Sequence, residues 1–428
     1  MLNDPVLSGL VADAAVANYD VKVVLARLEA AEARYGITKA DYYPTVQGVG
    51  SAQAVRLSED ITPDMPPGAQ REGGRYQVGA QVAWEVDFWG RVRRSVESAI
   101  ASTEAAEEAY RDSLVVISSQ VALTYIDMRT LQRRIADVEA NIRMLQDTLF
   151  IVQSRNNAGL VPDLNVAQAE RDLAVVEAQL PQLRSLLFES MNRLGILVGR
   201  EPSALHEMLR TVTPIPSIPD QIEVGLPADL LRQRPDIRQF ERQLAAQNAR
   251  IGVATAEYYP IFTLPGTFVL DAYNSGNLLE SDSLAYGFGP AFRWNLFAGG
   301  RVRQSVNLEE ARTKELLARY EQQVLVAVGE VETAMSDLVQ ERMRREKLEY
   351  SVMTARRTTD MSSVLYRSGL TDFQNVLDAQ RILINQEADL AQSEGRLCRI
   401  VILLYKALGG GWQVSAPAVE AESSKEVL

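Results

Sequence analysis

Ile117, Val121, Thr124, Met128, Leu131, Ile135, Val138, Ile142, Leu145, Leu149 and Val152 follow one another at spacings that alternate between four and three. That is an unbroken 3.5-residue period, the pattern of a helix supercoiled left-handedly against its neighbours. It predicts one helix from Arg91 to Asn157. At the helical rise its roughly 67 residues reach on the order of 100 Å, far beyond a globular diameter. Such an element belongs to a rod, a filament or a tube. After a turn at Asn156-Asn157-Ala158-Gly159 the period restarts with Val166, Ala169, Leu173, Val176, Leu180, Leu183, Leu187, Leu194 and Leu197. Pro181 lies inside this second run and removes a backbone hydrogen bond, so a bend or break is expected there.

The chain is also a duplication. Ala40-Asp41-Tyr42-Tyr43-Pro44 returns as Ala256-Glu257-Tyr258-Tyr259-Pro260. Gly90-Arg91-Val92-Arg93-Arg94-Ser95-Val96 returns 210 positions later as Gly300-Arg301-Val302-Arg303-Gln304-Ser305-Val306. The same offset carries Trp84 to Trp294, Gly159-Leu160 to Gly369-Leu370 and Asn165-Val166 to Asn375-Val376. It also carries Leu197-Val198-Gly199 to Ala407-Leu408-Gly409. A single offset held over this distance marks two structural repeats. The expected division is a first repeat over 1–199, a connector over 200–224, a second repeat over 225–409 and a tail over 410–428. The connector contains the Pro-rich run Thr213–Pro219, and the polar tail is expected to be disordered. Each repeat reads as a helix, two strands, a very long helix, a tight turn and a last helix. The second repeat carries the weaker seam Val376, Ala379, Leu383, Leu390, Leu397, Ile400 and Leu404. Its long helix places Glu341 and Arg345 in the seam, so looser or wetter packing is expected there.

Composition removes several function classes. Forty-four Lys and Arg stand against 56 Asp and Glu, a formal charge of −12, which leaves no basic excess for a nucleic-acid partner. One His and one Cys cannot build a zinc site of His and Cys ligands, nor an intrachain disulfide. Ten Met residues form no spaced cluster that would favour copper. No phosphate-binding Gly loop, nucleophile elbow or H-E-x-x-H motif occurs, so no catalytic residue, cofactor or metal site is assigned. His206 has no visible partner and is expected to be structural or exposed. Cys398 reads as a packed small residue. No apolar run of about 18 residues is present, so no transmembrane helix is expected. Met1-Leu2-Asn3-Asp4-Pro5 lacks the basic start and apolar core of a secretory signal, which leaves a cytoplasmic chain and a trimmed one both open.

Four segments, about 45–55, 76–88, 261–272 and 284–297, read as strands. Tyr76, Val78, Ala80, Val82, Trp84, Val86 and Phe88 share one face, against Gln77, Gly79, Gln81, Ala83, Glu85 and Asp87. Leu284, Tyr286, Phe288, Pro290, Phe292, Trp294 and Leu296 repeat the pattern, as do Phe262, Leu264, Gly266, Phe268, Leu270 and Ala272. Strands this long exceed the usual length of about 5–6 residues and suit a tilted membrane-spanning strand. A soluble sheet would need a covering layer, and the rest of the chain is long helix. A small polar face opposite an aromatic one reads instead as a pore lining opposite lipid. Lipid does not tolerate open sheet edges, and four strands are fewer than the roughly eight of the smallest single-chain barrels. Several copies must then contribute strands to one barrel.

The order of elements, the duplication and the heptad helices resemble the outer-membrane efflux channels of the TolC and OprM class. Leu230-Leu231-Arg232-Gln233-Arg234-Pro235-Asp236-Ile237-Arg238 is similar to the "LLxRRPDIR" signature of the OprM-like, NodT branch. So are Ala254–Pro260, Trp294–Gly300 and Leu404–Trp412. The resemblance spans about Asp4 to Trp412. It implies a membrane α+β fold in a homotrimer, with a tube of coiled-coil helices (an α-barrel) and a twelve-stranded β-barrel to which each chain gives four strands. The place is the outer membrane, with the tube extending into the periplasm and an equatorial belt built from residues 200–225 and the tail. Outer-membrane lipid, a periplasmic adaptor of the membrane fusion class and an inner-membrane pump of the resistance-nodulation-division type are the implied partners. Many members of the branch begin with a lipid-modified Cys after a signal peptide. Neither is seen here, so the chain is read as trimmed and acylation is not supported.

The resemblance also implies sites. Asp378 aligns with a ring of aspartates that narrows the periplasmic end of the tube, where three copies would favour cations and bind divalent ions. Gln374, one turn earlier on the same face, is expected to form a second constriction. Asn375 stands where the TolC branch has an acidic residue, which weakens the case for a double acidic ring. Arg381 is three residues from Asp378 and is expected to pair with it or with a neighbouring helix. Tyr366, Arg367 and Asp372 flank the second tip, where polar contacts between coiled coils hold the family's tubes shut. Gly159, Leu160, Val161, Gly369, Leu370 and Thr371 are the expected docking points for the adaptor. They are equally ordinary helix-hairpin turns. The expected function is a passive exit duct of a tripartite drug or toxic-compound efflux system, without enzymatic activity. A protein-secretion exit channel of the same fold is the first alternative, and a soluble coiled-coil structural protein the second.

Overall fold

The computed structural model describes residues 4–56, 58, 60, 72–216, 218 and 233–410. Most of the second part of the connector, Leu230–Arg232 of the signature and the tail beyond Gly410 lie outside the described residues. The elements are α1 (Pro5–Ala17), α2 (Tyr19–Ala40), β1 (Thr45–Arg56), β2 (Glu72–Val86) and α3 (Arg91–Asn157). Then come α4 (Asp163–Glu177), α5 (Gln179–Leu197), the one-turn α6 (His206–Leu209) and α7 (Pro235–Ala256). They are followed by β3 (Ile261–Ala272), β4 (Leu284–Phe288), β5 (Ala291–Arg293), α8 (Arg301–Arg367) and α9 (Phe373–Ala407). The helices α3 and α8 each run for 67 residues. Among the described residues no helix is long and apolar enough to cross a membrane.

Two compact units share these elements. The first takes 4–26, 108–238 and 321–410, and the second 27–107 and 239–320. Each therefore contains pieces of both repeats.

In the first unit the heptad positions make the core. Leu7, Leu10 and Ala14 of α1 pack on Ile117, Val121, Tyr125 and Met128 of α3, with Leu194 and Leu197 of α5 and Cys398 and Ile402 of α9. Asp4 caps α1 by accepting from the Val6 and Leu7 amides at 2.8 and 3.0 Å, and its other oxygen accepts from the Tyr125 hydroxyl at 2.7 Å. Further along, Val138 and Leu145 of α3 meet Val176 of α4 and Leu183 of α5. Pro181 produces the expected break at Ala178, between α4 and α5. It becomes the third residue of α5, where backbone donors lack an intrahelical partner in any case. The connector is anchored through Arg129, a buried side chain that donates to the Thr211 carbonyl and to Gln132 Oε1, both at 2.8 Å. Gln132 in turn donates to the Leu209 carbonyl at 2.8 Å. Glu341 does sit in the α8 seam, but as a satisfied polar contact: it is buried and accepts from the Ser393 hydroxyl at 2.5 Å.

The second unit holds the sheet, in the order β1-β2-β3-β4 with β5 also on β3, every pair antiparallel. The register aligns the faces read from sequence. Val46 pairs with Val82, Val82 with Gly266 and Gly266 with Phe288. Ala80 pairs with Phe268, and Phe268 with Tyr286. Gln47, Gln81 and Thr267 line up on the other face. The segment expected as one strand over 284–297 is split, because Pro290 has no N–H to give the ladder and Gly289 bonds to the Pro265 carbonyl at 3.3 Å instead. After β5 the chain turns. There Trp294 donates its indole N–H to the Tyr258 carbonyl at 3.0 Å, as Trp84 does to Tyr42 at 3.0 Å.

Candidate functional site at the hairpin tips

Both tips lie in the first unit. Each long helix ends in a glycine of positive φ, +69° at Gly159 and +73° at Gly369. The Gly159 amide donates to the Asn156 carbonyl and Leu160 to Arg155; Gly369 donates to Tyr366 and Leu370 to Leu365, at 2.8–3.0 Å. This double bond pattern closes the orphan carbonyls of a helix end and needs a residue without a Cβ penalty at the glycine. Leu160 and Leu370 are left exposed at the turns, 67% and 74%. Val161 packs inward on the tip core, so it is not part of that exposed surface. Thr371 accepts from the Asn375 amide at 2.8 Å, a bond that fixes Asn375 within its own turn.

Tyr366 is buried among Val152, Ala169, Phe373, Val376 and Leu377, with its ring 5.3 Å from that of Phe373. Arg155, at the end of α3, stacks over the same ring with its guanidinium 4.7 Å from the centroid, and donates to the Tyr366 carbonyl. The two hairpins are thus tied by Arg155, a residue the sequence reading did not single out. Nothing in its spacing distinguishes it from other arginines. Arg367 and Asp372 are exposed, and among the described residues their side chains make no hydrogen bond or ion pair. Asp372 serves α9 only through its backbone, as the N-cap residue.

In the first, second and third turns of α9 stand Gln374, Asp378 and Arg381. Gln374 donates to Asp378 Oδ1 at 3.1 Å, and the Asp378 side chain keeps about half of its surface exposed. Arg381 resolves the two pairings expected of it. It forms a bidentate bond to Asp172 of α4 at 2.8 and 2.9 Å, while Asp378 lies 3.8 Å away. Burial pushes the Asp172 carboxyl up, but hydrogen bonds from Arg381 and Arg171 outweigh it and hold the group below its ordinary range. The Asp172 bond holds the Arg381 guanidinium higher than usual. Asp172 was not foreseen: the position 210 later is Ile382, so the repeat gave no hint of an acid.

His206 has a partner after all. Its Nε2 lies 2.8 Å from Asn192 Oδ1, and Phe188 meets its ring edge-on. Cys398 is buried, donates to the Pro216 carbonyl at 3.3 Å, and has its thiol pushed up to about 12 by burial.

The model of the outer membrane efflux protein family matches residues 10–200 and 226–410. The chain belongs to that family. It is 30% identical over 413 residues to the solvent efflux pump outer membrane protein SrpC of Pseudomonas putida, covering 96% of this chain and 87% of that one. Nodulation protein T of Rhizobium leguminosarum bv. viciae is 30% identical over 426 residues, covering 99% of this chain and 86% of that protein. The solved structure of the outer-membrane channel OprN aligns with a TM-score of 0.90 at 33% identity, covering 96% of this chain and 92% of that one. The protein is therefore an outer-membrane efflux channel component, with a helical portion that extends into the periplasm and a β portion in the membrane.

Proposed function

We propose that three copies assemble into one passive exit duct whose periplasmic end is gated at the hairpin tips. The observation that carries this reading is the open sheet. Among the described residues β1 and β4 each have one neighbouring strand, while Phe268, Tyr286, Phe288 and Phe292 stay exposed on one face. Unpaired edges and an exposed aromatic face are costly in isolation and are resolved together when further copies close a barrel in lipid. Three copies, each giving four strands, make a twelve-stranded barrel with the aromatic face outward. The repeat division at 1–199 and 225–409 supplies the four helical segments per chain that the matching tube needs.

Asp378 and Gln374 are the proposed gate, with Asn375 beside them and Arg381 locking α9 to α4 through Asp172. Tyr366 joins Arg155 in holding the two hairpins together, and Arg367 and Asp372 are left free to meet a neighbouring copy. Gly159, Leu160, Gly369, Leu370 and Thr371 form the docking tips for a periplasmic adaptor, with Val161 packed beneath them. The adaptor links the duct to an inner-membrane pump of the resistance-nodulation-division type. The cargo is small toxic compounds, as the name of the Pseudomonas putida relative states for solvents. No step of this function requires catalysis, since the pump supplies the energy.

Single-channel current in a planar bilayer tests the reading. Stable, cation-preferring steps are expected, and Asp378→Ala should raise conductance and weaken block by divalent cations. Absence of insertion would sink the pore. Unchanged conductance and block in the variant would remove Asp378 from the gate.

A further inference from the structure

On α3, Tyr125, Arg129 and Gln132 face the connector. At about 100° per residue, Asp127, Thr130 and Arg134 point the other way. On that opposite face lies a cleft of about 650 Å³ shared with α8 and α9. Four guanidinium groups line it: Arg134 of α3, Arg344 of α8, and Arg396 and Arg399 of α9. In a chain of net charge −12 such a cluster is unexpected.

The acids nearby do not match the four cations. Arg399 is taken by Asp127, whose two oxygens both lie 2.5 Å from Nη1. Arg344 and Arg396 share one carboxyl, that of buried Glu341, at 3.5 and 3.4 Å. Arg134 is half-buried and, among the described residues, makes no hydrogen bond or ion pair. The cleft floor is closed by Gly395. A Cβ there would collide with the Thr130 side chain, so α9 packs closely on α3 at this point of the cleft. Arg134 and Arg344 are 210 positions apart, the repeat offset, so each repeat contributes its arginine from the equivalent turn.

A half-buried guanidinium with a vacant fork, backed by two more that share one acid, is suited to an anion with paired acceptor oxygens. We propose that this cleft binds a solute oxyanion, a carboxylate or phosphate, with Arg134 as its principal contact. The cleft's place in the duct rests on the channel reading above: with the connector as the belt outside the tube, as the family resemblance implies, the opposite face of α3 lines the duct. Three copies would then form a basic ring that retains anionic solutes on their way out.

Binding is measured first, on the detergent-solubilised full chain, by calorimetric titration with inorganic phosphate and with citrate, and with chloride as a control that lacks paired oxygens. Saturable binding of phosphate or citrate, weakened by salt, is expected. Which of the two binds more tightly tells phosphate from carboxylate recognition. Arg134→Gln should weaken binding about tenfold, the loss of one charge-assisted contact. Arg134→Lys, which keeps the charge and loses the fork, should fall between. Arg357→Gln, an exposed arginine of α8 outside the cleft, should bind as the parent does. Absence of saturable binding, equal binding by Arg134→Gln, or an equal loss in Arg357→Gln overturns the site. Conductance is recorded separately in bilayers. Binding without conduction keeps the site and removes its place in a duct, whereas conduction without binding removes the site alone.

Discussion

The helices α3 and α8 occupy the same place in the two repeats and have the same length, yet the balance of apolar and polar contacts that holds them differs. Where α3 carries Leu131, Leu145, Leu149 and Val152, α8 carries Glu341, Ala355, Thr359 and Ser362 at the matching positions. The α3 seam excludes water by area, burying Val138, Leu145 and Val152 against α4, α5 and the tip. The α8 seam adds directed bonds to α9 to apolar contacts of Ala334 and Leu338 with Leu397, Ile400 and Leu404, and of Val352 and Ala355 with Leu383. Ser351 donates to Gln386 at 2.9 Å, Thr359 to the Ala379 carbonyl at 3.1 Å and Ser393 to Glu341 at 2.5 Å. Apolar area is lost steeply when helices part, whereas a polar contact exchanges its partner for water at a small net cost. A duplicated scaffold has thus kept its geometry while its two seams differ in polarity; on the gating reading the α3 hairpin is the fixed member, and the α8 hairpin the one able to give way.

Leu145→Ala gives α3 the residue that α8 already has at the equivalent place. Leu145 is 3% exposed, so the cavity and lost transfer energy should cost about 2–5 kcal/mol in denaturant unfolding. A loss below about 1 kcal/mol would mean that the α3 seam is not area-driven, and the contrast with α8 would fail.

Asp112→Asn tests the same contrast through charge, since Gln322 is its neutral counterpart in the second repeat. Burial, reinforced by Asp236, raises the Asp112 carboxyl from 3.8 to about 6, against the pull of Lys406 and Arg234. The folded state therefore holds this proton more tightly than the unfolded one. Stability falls as pH rises from about 4 to about 6, and the full penalty persists above that. The shift corresponds to at most about 3 kcal/mol. Asp112→Asn should raise the melting temperature at neutral pH and lose that advantage below pH 4. A gain that is the same at both pH values would place its cause elsewhere.

Arg155→Ala removes the tie between hairpins, a hydrogen bond to the Tyr366 carbonyl and a cation–ring contact, for an expected loss of about 1–3 kcal/mol. On the gating reading it should also lengthen channel openings in bilayer recordings. If stability falls and openings are unchanged, the tie is structural and the hairpins do not part there.

What the sequence disclosed, and what it withheld, follows from the range of each interaction. The bounds of α3, the break near Pro181 and the apolar face of the sheet come from periodicity and local backbone rules, which act within a few residues. The glycines at 159 and 369 are local as well, because a helix end must close its own carbonyls. The Asp172–Arg381 pair spans 209 positions and the Arg155–Tyr366 tie 211. No local pattern encodes either. His206 looked partnerless because Asn192 reaches it only once α5 and α6 fold together. Pro290 was counted as an outward-facing strand residue. Its side-chain position fitted the alternation, and its missing N–H broke the ladder all the same.

Glu341→Leu is the smallest expected change and the most discriminating. It writes the α3 residue into α8. The buried carboxyl loses three partners, but Arg344 and Arg396 keep about half of their side-chain surface in water and are not stranded. Ser393 is fully buried, and its hydroxyl can turn to the carbonyl one helical turn earlier, as helical serines commonly do. Replacing a buried ion cluster by an apolar side chain of similar volume is often neutral, so stability should move by less than about 1 kcal/mol. The same substitution frees two guanidinium groups in the arginine cleft, and phosphate should then bind more tightly. Near-constant stability with stronger binding would show that Glu341 restrains the charge of the cleft and does not hold the helices together. A loss above about 3 kcal/mol, the range for stranding one partner of a buried pair, would make the polar seam as rigid as the apolar one. The assignment of α8 as the yielding member would then be wrong.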